Sequence, residues 1–279
     1  MCAEGVAPLA TEMRRIVVNG LTLNVLVAGG GPCVLLVHGF PDCHEVWRRQ
    51  VPALVAAGYR VIAPDLRGCG LSDAPAATAA YRAEHIVADL KSLLDALGVA
   101  RVRLVGHDWG AIIGWMFTLA HPERVLRYAA LSVGHPQAYA NGSLEQKRKG
   151  WYVLFFQLRG FAEWLSRLGN WWLFRAVIDF PEEMSHIVAR LSRPGRLTAG
   201  MNYYRANIGL MFRRRWPKAQ VPVMGVWSDS DKFLAESQML ASRALVEAPF
   251  RYERVDGANH WLQLTAPDRV NALLLDYLR

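Results

Sequence analysis

The chain has 279 residues, of which 52% are hydrophobic and 20% charged, and its formal net charge is +8. This length suffices for one large domain, or for a core domain that carries an insertion. The composition excludes a chain that is disordered along most of its length and a small protein held together by disulfides.

Short β-rich runs alternate with longer helical runs in the first half of the chain. The pair Asn19-Gly20 predicts a two-residue hairpin turn between two strands. Predicted strands cover residues 15–18, 21–27, 33–37, 59–63, 101–105 and 125–133. Predicted helices cover residues 45–57, 83–97 and 110–120. This alternation favours a mostly parallel sheet with helices on both faces.

The pattern changes between Pro136 and Pro217, where only helix-like stretches occur. Breaks between helices are expected at 141–142, 169–170, 180–181 and 193–195. Strands at 221–227 and 250–255 and helices at 235–246 and 267–278 then restore the β-α alternation. We therefore expect a core formed by residues 1–136 and 218–279, interrupted by a helical cap at 137–217, which we call the helical insertion.

The helical insertion accounts for the positive charge. Residues 137–218 contain 14 Lys and Arg against 5 Asp and Glu, and they hold 15 of the 29 aromatic residues. The aromatic content indicates an enclosed apolar site. The basic runs at 146–149 and 213–215 are typical of solvated helical faces, so we expect no nucleic-acid partner.

No apolar run approaches the roughly 20 residues that span a bilayer. The residues before Met13 also lack the positive charge and apolar run of a signal peptide, so we expect a cytoplasmic protein. The cysteines, at positions 2, 33, 43 and 69, have neither metal-ligand spacing nor a disulfide pattern. We expect free thiols and no metal.

The segment Gly106-His107-Asp108-Trp109-Gly110 follows a predicted strand and precedes a helix. Small residues on both sides permit a tight strand-to-helix turn that exposes the central side chain, here Asp108. A carboxylate in this position suits nucleophilic attack at an alkyl carbon, while ester hydrolysis through an acyl-serine is disfavoured. The alternative is that Asp108 only caps the helix.

Two further segments lie where the predicted strands end. After strand 33–37 comes His38-Gly39-Phe40-Pro41, whose Phe40 N–H, together with that of Trp109, is expected to stabilise an oxyanion. His38 is expected to have a structural role. His260 lies on a loop after the last strand and suits a general base. Two acids, Asp229 and Asp231, follow strand 221–227 and could orient it.

Four motifs together resemble the α/β-hydrolase fold family and, within it, the epoxide hydrolases. They are HGFP at 38–41, DLRGCGLSD at 65–73, GHDWG at 106–110 and GANHW at 257–261. The spacing of that family selects Asp231, within WSDSD, as the partner of His260 and leaves Asp229 as the fallback. The resemblance implies a two-step reaction without a cofactor, in which an epoxide and water give a vicinal diol.

The resemblance also assigns two tyrosines of the helical insertion. In WYVLFFQ at 151–157 and NYYR at 202–205, the matching positions are Tyr152 and Tyr204. A neutral phenol can donate a proton to the alkoxide that epoxide opening produces. Tyr203, by contrast, is expected only to pack among the aromatic side chains of the helical insertion. We expect Phe40, Trp109 and Phe156 to line the site of an apolar substrate.

Two other functions remain open. Haloalkane dehalogenases share GHDWG and the Asp nucleophile, and Trp109 could contact a halide, although Phe40 stands where a second donor would be needed. A non-catalytic receptor on the same fold is the other alternative. A homodimer is possible.

Overall fold

An eight-stranded sheet forms the centre of the computed structural model, which describes residues 11–178 and 180–279. The strands are β1 (Thr11–Val18), β2 (Leu21–Ala28), β3 (Cys33–Val37), β4 (Arg60–Pro64), β5 (Val102–His107), β6 (Val125–Leu131), β7 (Val223–Ser228) and β8 (Phe250–Val255). Their order is β1-β2-β4-β3-β5-β6-β7-β8, antiparallel at β1-β2 and β2-β4 and parallel elsewhere. The parallel strands therefore end at one edge, where α/β proteins bind ligands.

The central strands are buried on both faces and consist largely of branched apolar residues, as β3 (CVLLV) illustrates. The edge hairpin turns at Asn19 and Gly20, both with positive φ, as predicted. The predicted mostly parallel α/β sheet is confirmed.

Helices of the core flank this sheet. They are α1 (Gln50–Ala56), α2 (Ala83–Ala96), α3 (Trp109–Ala120), α10 (Glu236–Ala241), α11 (Leu262–Thr265) and α12 (Pro267–Tyr277). The predicted continuous helix 45–57 is wrong, because a 3₁₀ helix, His44–Trp47, precedes α1. Pro52 explains the break, since its ring would clash with the carbonyl four residues earlier in a longer helix.

The predicted helix 235–246 is also divided, into α10 and a 3₁₀ helix, Ser242–Leu245. The hydroxyl of Ser242 donates to the carbonyl of Gln238 at 2.8 Å. Such a bond to the preceding turn bends helices.

The named secondary-structure elements between β6 and β7 are all helices. It contains α4 (Pro136–Ala140), α5 (Leu144–Lys149), α6 (Trp151–Phe155), α7 (Phe161–Ile178), α8 (Pro181–Ser192), α9 (Arg196–Ala206) and a 3₁₀ helix, Ile208–Phe212. The expected breaks all occur. At Gly169 and Asn170 the backbone of α7 is left-handed, which kinks the helix.

Two other expectations concern membrane-spanning helices and the state of the cysteines. None of the helices in the described part of the chain is long and apolar enough to span a membrane. Cys33, Cys43 and Cys69 are free thiols, as predicted, while Cys2 lies outside the described residues.

Candidate active site

Asp108 lies on the tight turn between β5 and α3. Its φ of 53° and ψ of −123° form a strained conformation for a residue with a side chain. A Cβ atom at Gly106 would collide with the carbonyl of Gly110, and one at Gly110 would collide with the carbonyl of Val37. Only glycine fits at both positions, so the turn can form and present Asp108 at the carboxyl edge of the sheet.

The Asp108 carboxylate contacts the end of β3. Its Oδ1 accepts a hydrogen bond from the backbone N–H of Phe40 at 2.8 Å. Gly39 permits this approach, because a Cβ there would collide with the carboxylate. Asp108 occupies the N-cap position of α3, but its side chain makes no capping hydrogen bond to the described residues of that helix. Helix capping therefore does not explain this aspartate.

The electrostatic surroundings keep Asp108 ionised. Burial alone would raise the pKa of its carboxyl, but the hydrogen bond and charge of His260 hold it below the usual value. The backbone N–H of Trp109 lowers this pKa further. Of the two N–H groups expected to stabilise an oxyanion, that of Phe40 donates directly to Asp108, and that of Trp109 lowers the pKa of the same carboxyl.

His260 lies between two carboxylates. Its Nε2 is 3.5 Å from Oδ2 of Asp108, and its Nδ1 is 2.8 Å from Oδ2 of Asp231. The backbone N–H groups of Phe233 and Leu234 donate to Oδ1 of Asp231 at 2.8 and 2.9 Å. These bonds fix the Asp231 carboxylate, which in turn orients the imidazole.

The other candidate acid lies elsewhere. Oδ1 of Asp229 accepts a hydrogen bond from the backbone N–H of Gly257 at 2.8 Å, and Asp229 is exposed to solvent. Asp229 therefore stabilises the turn before His260, and the geometry brings only Asp231 of this pair to the imidazole.

The proton on His260 is held by its anionic neighbours. Burial would lower the pKa of the imidazole, but the charges and hydrogen bonds of Asp231 and Asp108 raise it above its usual range. Because Asp108 supplies part of this effect, any reaction that neutralises Asp108 weakens the hold on the proton.

Several supporting residues were not predicted from the sequence. Nε2 of His107 lies 2.8 Å from the carbonyl oxygen of His260, and burial lowers the pKa of His107 to about 3. His107 is therefore neutral and can donate to that carbonyl. The ring of Phe233 packs 5.1 Å from that of His260. Their closeness in the chain to Asp108 and Asp231 was the sequence feature that could have indicated these two residues.

Asp42 is a further residue that the sequence did not single out. Its Oδ2 accepts from the indole N–H of Trp261 at 2.9 Å, and its Oδ1 lies 3.5 Å from Arg190 of α8. Burial raises the pKa of Asp42 to about 6. Asp42 thus connects the turn after β3 to the loop of His260 and to the helical insertion.

The two predicted tyrosines meet above Asp108. Tyr152 on α6 and Tyr204 on α9 have ring centroids 5.7 Å apart, and Tyr204 lies 5.2 Å from the ring of Trp109. Burial raises the pKa of both phenols well above 10, and the charge of Asp108 raises both further. Both are therefore neutral hydrogen-bond donors near the carboxylate.

Tyr203, by contrast, points away from the carboxylate. Its hydroxyl donates to the carbonyl of Arg67 at 2.8 Å, and its ring packs against Tyr81 and Trp109.

Two cavities, a smaller and a larger one, meet at Asp108, Tyr152 and Tyr204, which line both. Aromatic and aliphatic side chains dominate both linings. Phe40 and Phe156 line the smaller cavity and Trp109 lines the larger one, so all three predicted substrate contacts border this space.

One group of described residues has the composition of a metal site. Cys43, His44 and Asp65 offer ligand atoms within 4.8 Å of one another. Both Asp65 oxygens already accept hydrogen bonds, from His44, Leu71 and the side chain of Asn24. Burial also raises the pKa of the Cys43 thiol, which opposes thiolate formation. This cluster is therefore suited to structural hydrogen bonding.

Comparison with known proteins places this geometry in context. Residues 32–267 match the family described as "alpha/beta hydrolase fold". The chain is 34% identical to Epoxide hydrolase A of Mycobacterium tuberculosis, covering 96% of this chain and 98% of that one. It is 30% identical to Epoxide hydrolase 4 of Mus musculus, covering 95% and 78%.

Solved structures agree with these relatives. A mutant of the Vigna radiata epoxide hydrolase superposes with a TM-score of 0.85 at 29% identity, covering 96% of this chain and 98% of that one. Epoxide Hydrolase A from Mycobacterium thermoresistibile gives 0.82 at 31% identity, covering 97% and 98%. The resemblance noted in the four motifs is confirmed.

Proposed function

This chain belongs to the α/β hydrolase fold family, among its epoxide hydrolases, and we propose that it converts an apolar epoxide and water to a vicinal diol through an ester on Asp108. One observation carries the proposal. Asp108, Tyr152 and Tyr204 together line the space where the two cavities meet. A nucleophile and two neutral donors therefore face the same small volume.

In the first step, an oxygen of Asp108 attacks one oxirane carbon. The bond from that carbon to the ring oxygen breaks, and its electron pair remains on that oxygen. Tyr152 and Tyr204 donate hydrogen bonds to this oxygen, and one of them supplies its proton. The product is a hydroxyalkyl ester and a phenolate.

Ester formation removes the negative charge of Asp108, which helps to raise the pKa of His260. The pKa of the imidazole therefore falls, and its proton is free to restore the phenolate. His260, now neutral and oriented by Asp231, becomes a general base at the point in the cycle where water must be activated.

In the second step, water attacks the carbonyl carbon of the Asp108 ester and gives one proton to His260. The N–H groups of Phe40 and Trp109 hold the tetrahedral oxyanion, since the N–H of Phe40 already donates to the carboxylate in the free enzyme and that of Trp109 stabilises its charge. The bond from the acyl carbon to the diol oxygen breaks, and that oxygen takes the proton from His260. The second water proton, left on Asp108, returns to His260 and restores the initial ion pair.

The cavity linings support an apolar substrate. Phe40, Phe156 and Tyr204 pack edge to face around the carboxylate, with ring centroids 4.9 to 6.0 Å apart. Such walls favour an aryl or alkyl substituent and offer few polar partners.

The test uses His260→Gln, in which ester hydrolysis should stall. The variant is mixed separately with styrene oxide and with 1-bromobutane, and the intact protein is weighed by mass spectrometry and mapped. We expect an adduct on Asp108 with the mass of the whole epoxide, and none in His260→Gln/Asp108→Asn. An adduct from the bromoalkane alone would identify a dehalogenase. No adduct from either, combined with tight epoxide binding, would favour a receptor.

A further inference from the structure

The first half of α7 presents its apolar residues to solvent. Phe161, Trp164 and Leu168 recur at intervals of three and four residues and are 51%, 57% and 42% exposed. The opposite side of the helix is buried and contains Ala162 and two polar residues, Glu163 and Ser166. It includes Glu163, which accepts from Arg205 at 2.6 and 2.9 Å. A surface helix of a soluble protein normally has the reverse arrangement.

Further exposed apolar residues precede α7 in the chain. Leu158, in the turn before α7, is 51% exposed, and Leu154 and Trp151 on α6 are 63% and 48% exposed. We call these six residues, 151, 154, 158, 161, 164 and 168, the outer apolar face. An exposed patch of this kind marks an interaction site.

Positive charge accompanies this face. Arg159 and Arg167 are exposed and, within the described part of the chain, have no acidic partner. Two acids of the helical insertion already have basic partners, since Glu163 pairs with Arg205 and Glu145 with Lys149. The face therefore combines Trp, Phe and Leu with unpaired arginine, which is the composition of helices that lie in a lipid interface.

The charge also argues against a second copy of this chain as the occupant. A twofold dimer would place the same patch against itself and bring the arginines of one copy towards those of the other. Like charges across an interface oppose association. An anionic surface attracts the same arginines, and their long side chains can reach headgroup phosphates while the apolar residues insert.

We propose that the outer apolar face docks on an anionic lipid surface, with Phe161 and Trp164 among the headgroups and Arg159 and Arg167 on lipid phosphates. Trp151 belongs both to this face and to the lining of the smaller cavity. The docked enzyme would therefore hold an opening of its cavity against the phase in which apolar epoxides dissolve. Only this last consequence rests on the proposed function, and docking itself does not.

The experiment measures flotation of the full chain with vesicles of phosphatidylcholine alone and of phosphatidylcholine with phosphatidylserine at about three to one. We expect binding to the anionic vesicles only, with release at about 0.5 M salt. Arg159→Gln/Arg167→Gln should weaken partitioning by about 25-fold, since each basic residue near the surface contributes about a factor of five. Phe161→Ser/Trp164→Ser should weaken it by at least about tenfold.

Matched controls lie outside the helical insertion. Arg101 is exposed before β5 and Leu240 is 48% exposed on α10, so Arg101→Gln and Leu240→Gln should leave partitioning unchanged. Far-UV circular dichroism of all variants checks that they are folded. If the wild type does not bind anionic vesicles, or if both face variants bind like the controls, the proposal is wrong. Self-association that Phe161→Ser/Trp164→Ser abolishes, without vesicle binding, would instead assign the face to a dimer.

Discussion

Replacing both tyrosines above Asp108 by phenylalanine should nearly abolish ester formation. Tyr152→Phe/Tyr204→Phe removes only two oxygen atoms, so the ring contacts to Phe156 and Trp109 at 5.8 and 5.2 Å persist. A hydrogen bond to a charged group contributes about 1.5 to 3 kcal/mol. Losing two such bonds to the developing alkoxide should slow the first step by about 10² to 10⁴-fold.

The assay follows adduct mass against time in the His260→Gln background, because the ester then accumulates and the second step does not interfere. Tyr203→Phe is the matched control. Its hydroxyl bonds to the carbonyl of Arg67, so its loss should lower stability by about 1 kcal/mol and leave ester formation unchanged. An unchanged rate in the double variant would refute the role of Tyr152 and Tyr204 as acids.

Three further predictions follow from the same geometry. Asp231→Asn should reduce turnover by roughly 10³ to 10⁴-fold, because the imidazole loses the carboxylate that orients it. The control, Asp229→Asn, should stay within a few-fold of wild type. Steady-state kinetics with styrene oxide measure both variants, and equal losses of turnover would contradict the assignment of Asp231. The raised pKa of His260, about 10 against the usual 6.5, means that its stabilisation is complete below pH 6.5 and is lost as pH rises towards the folded value. The difference in unfolding free energy between wild type and His260→Gln, measured with urea, should therefore shrink over that interval, and a difference that grows with pH would be inconsistent with it. Arg205→Met should destabilise the protein by about 3 to 5 kcal/mol, because it leaves Glu163 without its buried partner. Arg205→Met/Glu163→Leu should recover part of this stability. If urea unfolding shows no recovery, the ion pair between Arg205 and Glu163 is not the cause of the loss.

Local patterns predicted most of the secondary structure. Strand composition located the central strands, and the glycine and proline breaks of the helical insertion all occur. The errors lie in helices 45–57 and 235–246, which two single interactions divide. The ring of Pro52 and the hydroxyl of Ser242 act on particular carbonyl groups, and these effects do not alter the apolar periodicity on which the prediction rests.

The sequence by itself indicated the turn at Asp108, because the collision that requires glycine at position 106 is with Gly110, four residues away. Glycine at position 110 is required by the carbonyl of Val37 on β3, and that contact exists only in the tertiary structure. The residue types alone left both Asp229 and Asp231 open, and Asp231 was selected only through the resemblance to epoxide hydrolases; the two positions differ in how the chain turns after β7. That choice, and the raised pKa of His260, depend on contacts between residues far apart in the chain.

The outward orientation of the apolar side of α7 was likewise decided by tertiary structure. Helical periodicity shows that a helix has an apolar side, but not whether that side packs or faces solvent. Here the ion pair between Glu163 and Arg205 occupies the inner side. Local sterics can therefore be read from sequence, whereas burial, charge neighbours and the direction of a helix face exist only once distant segments have packed.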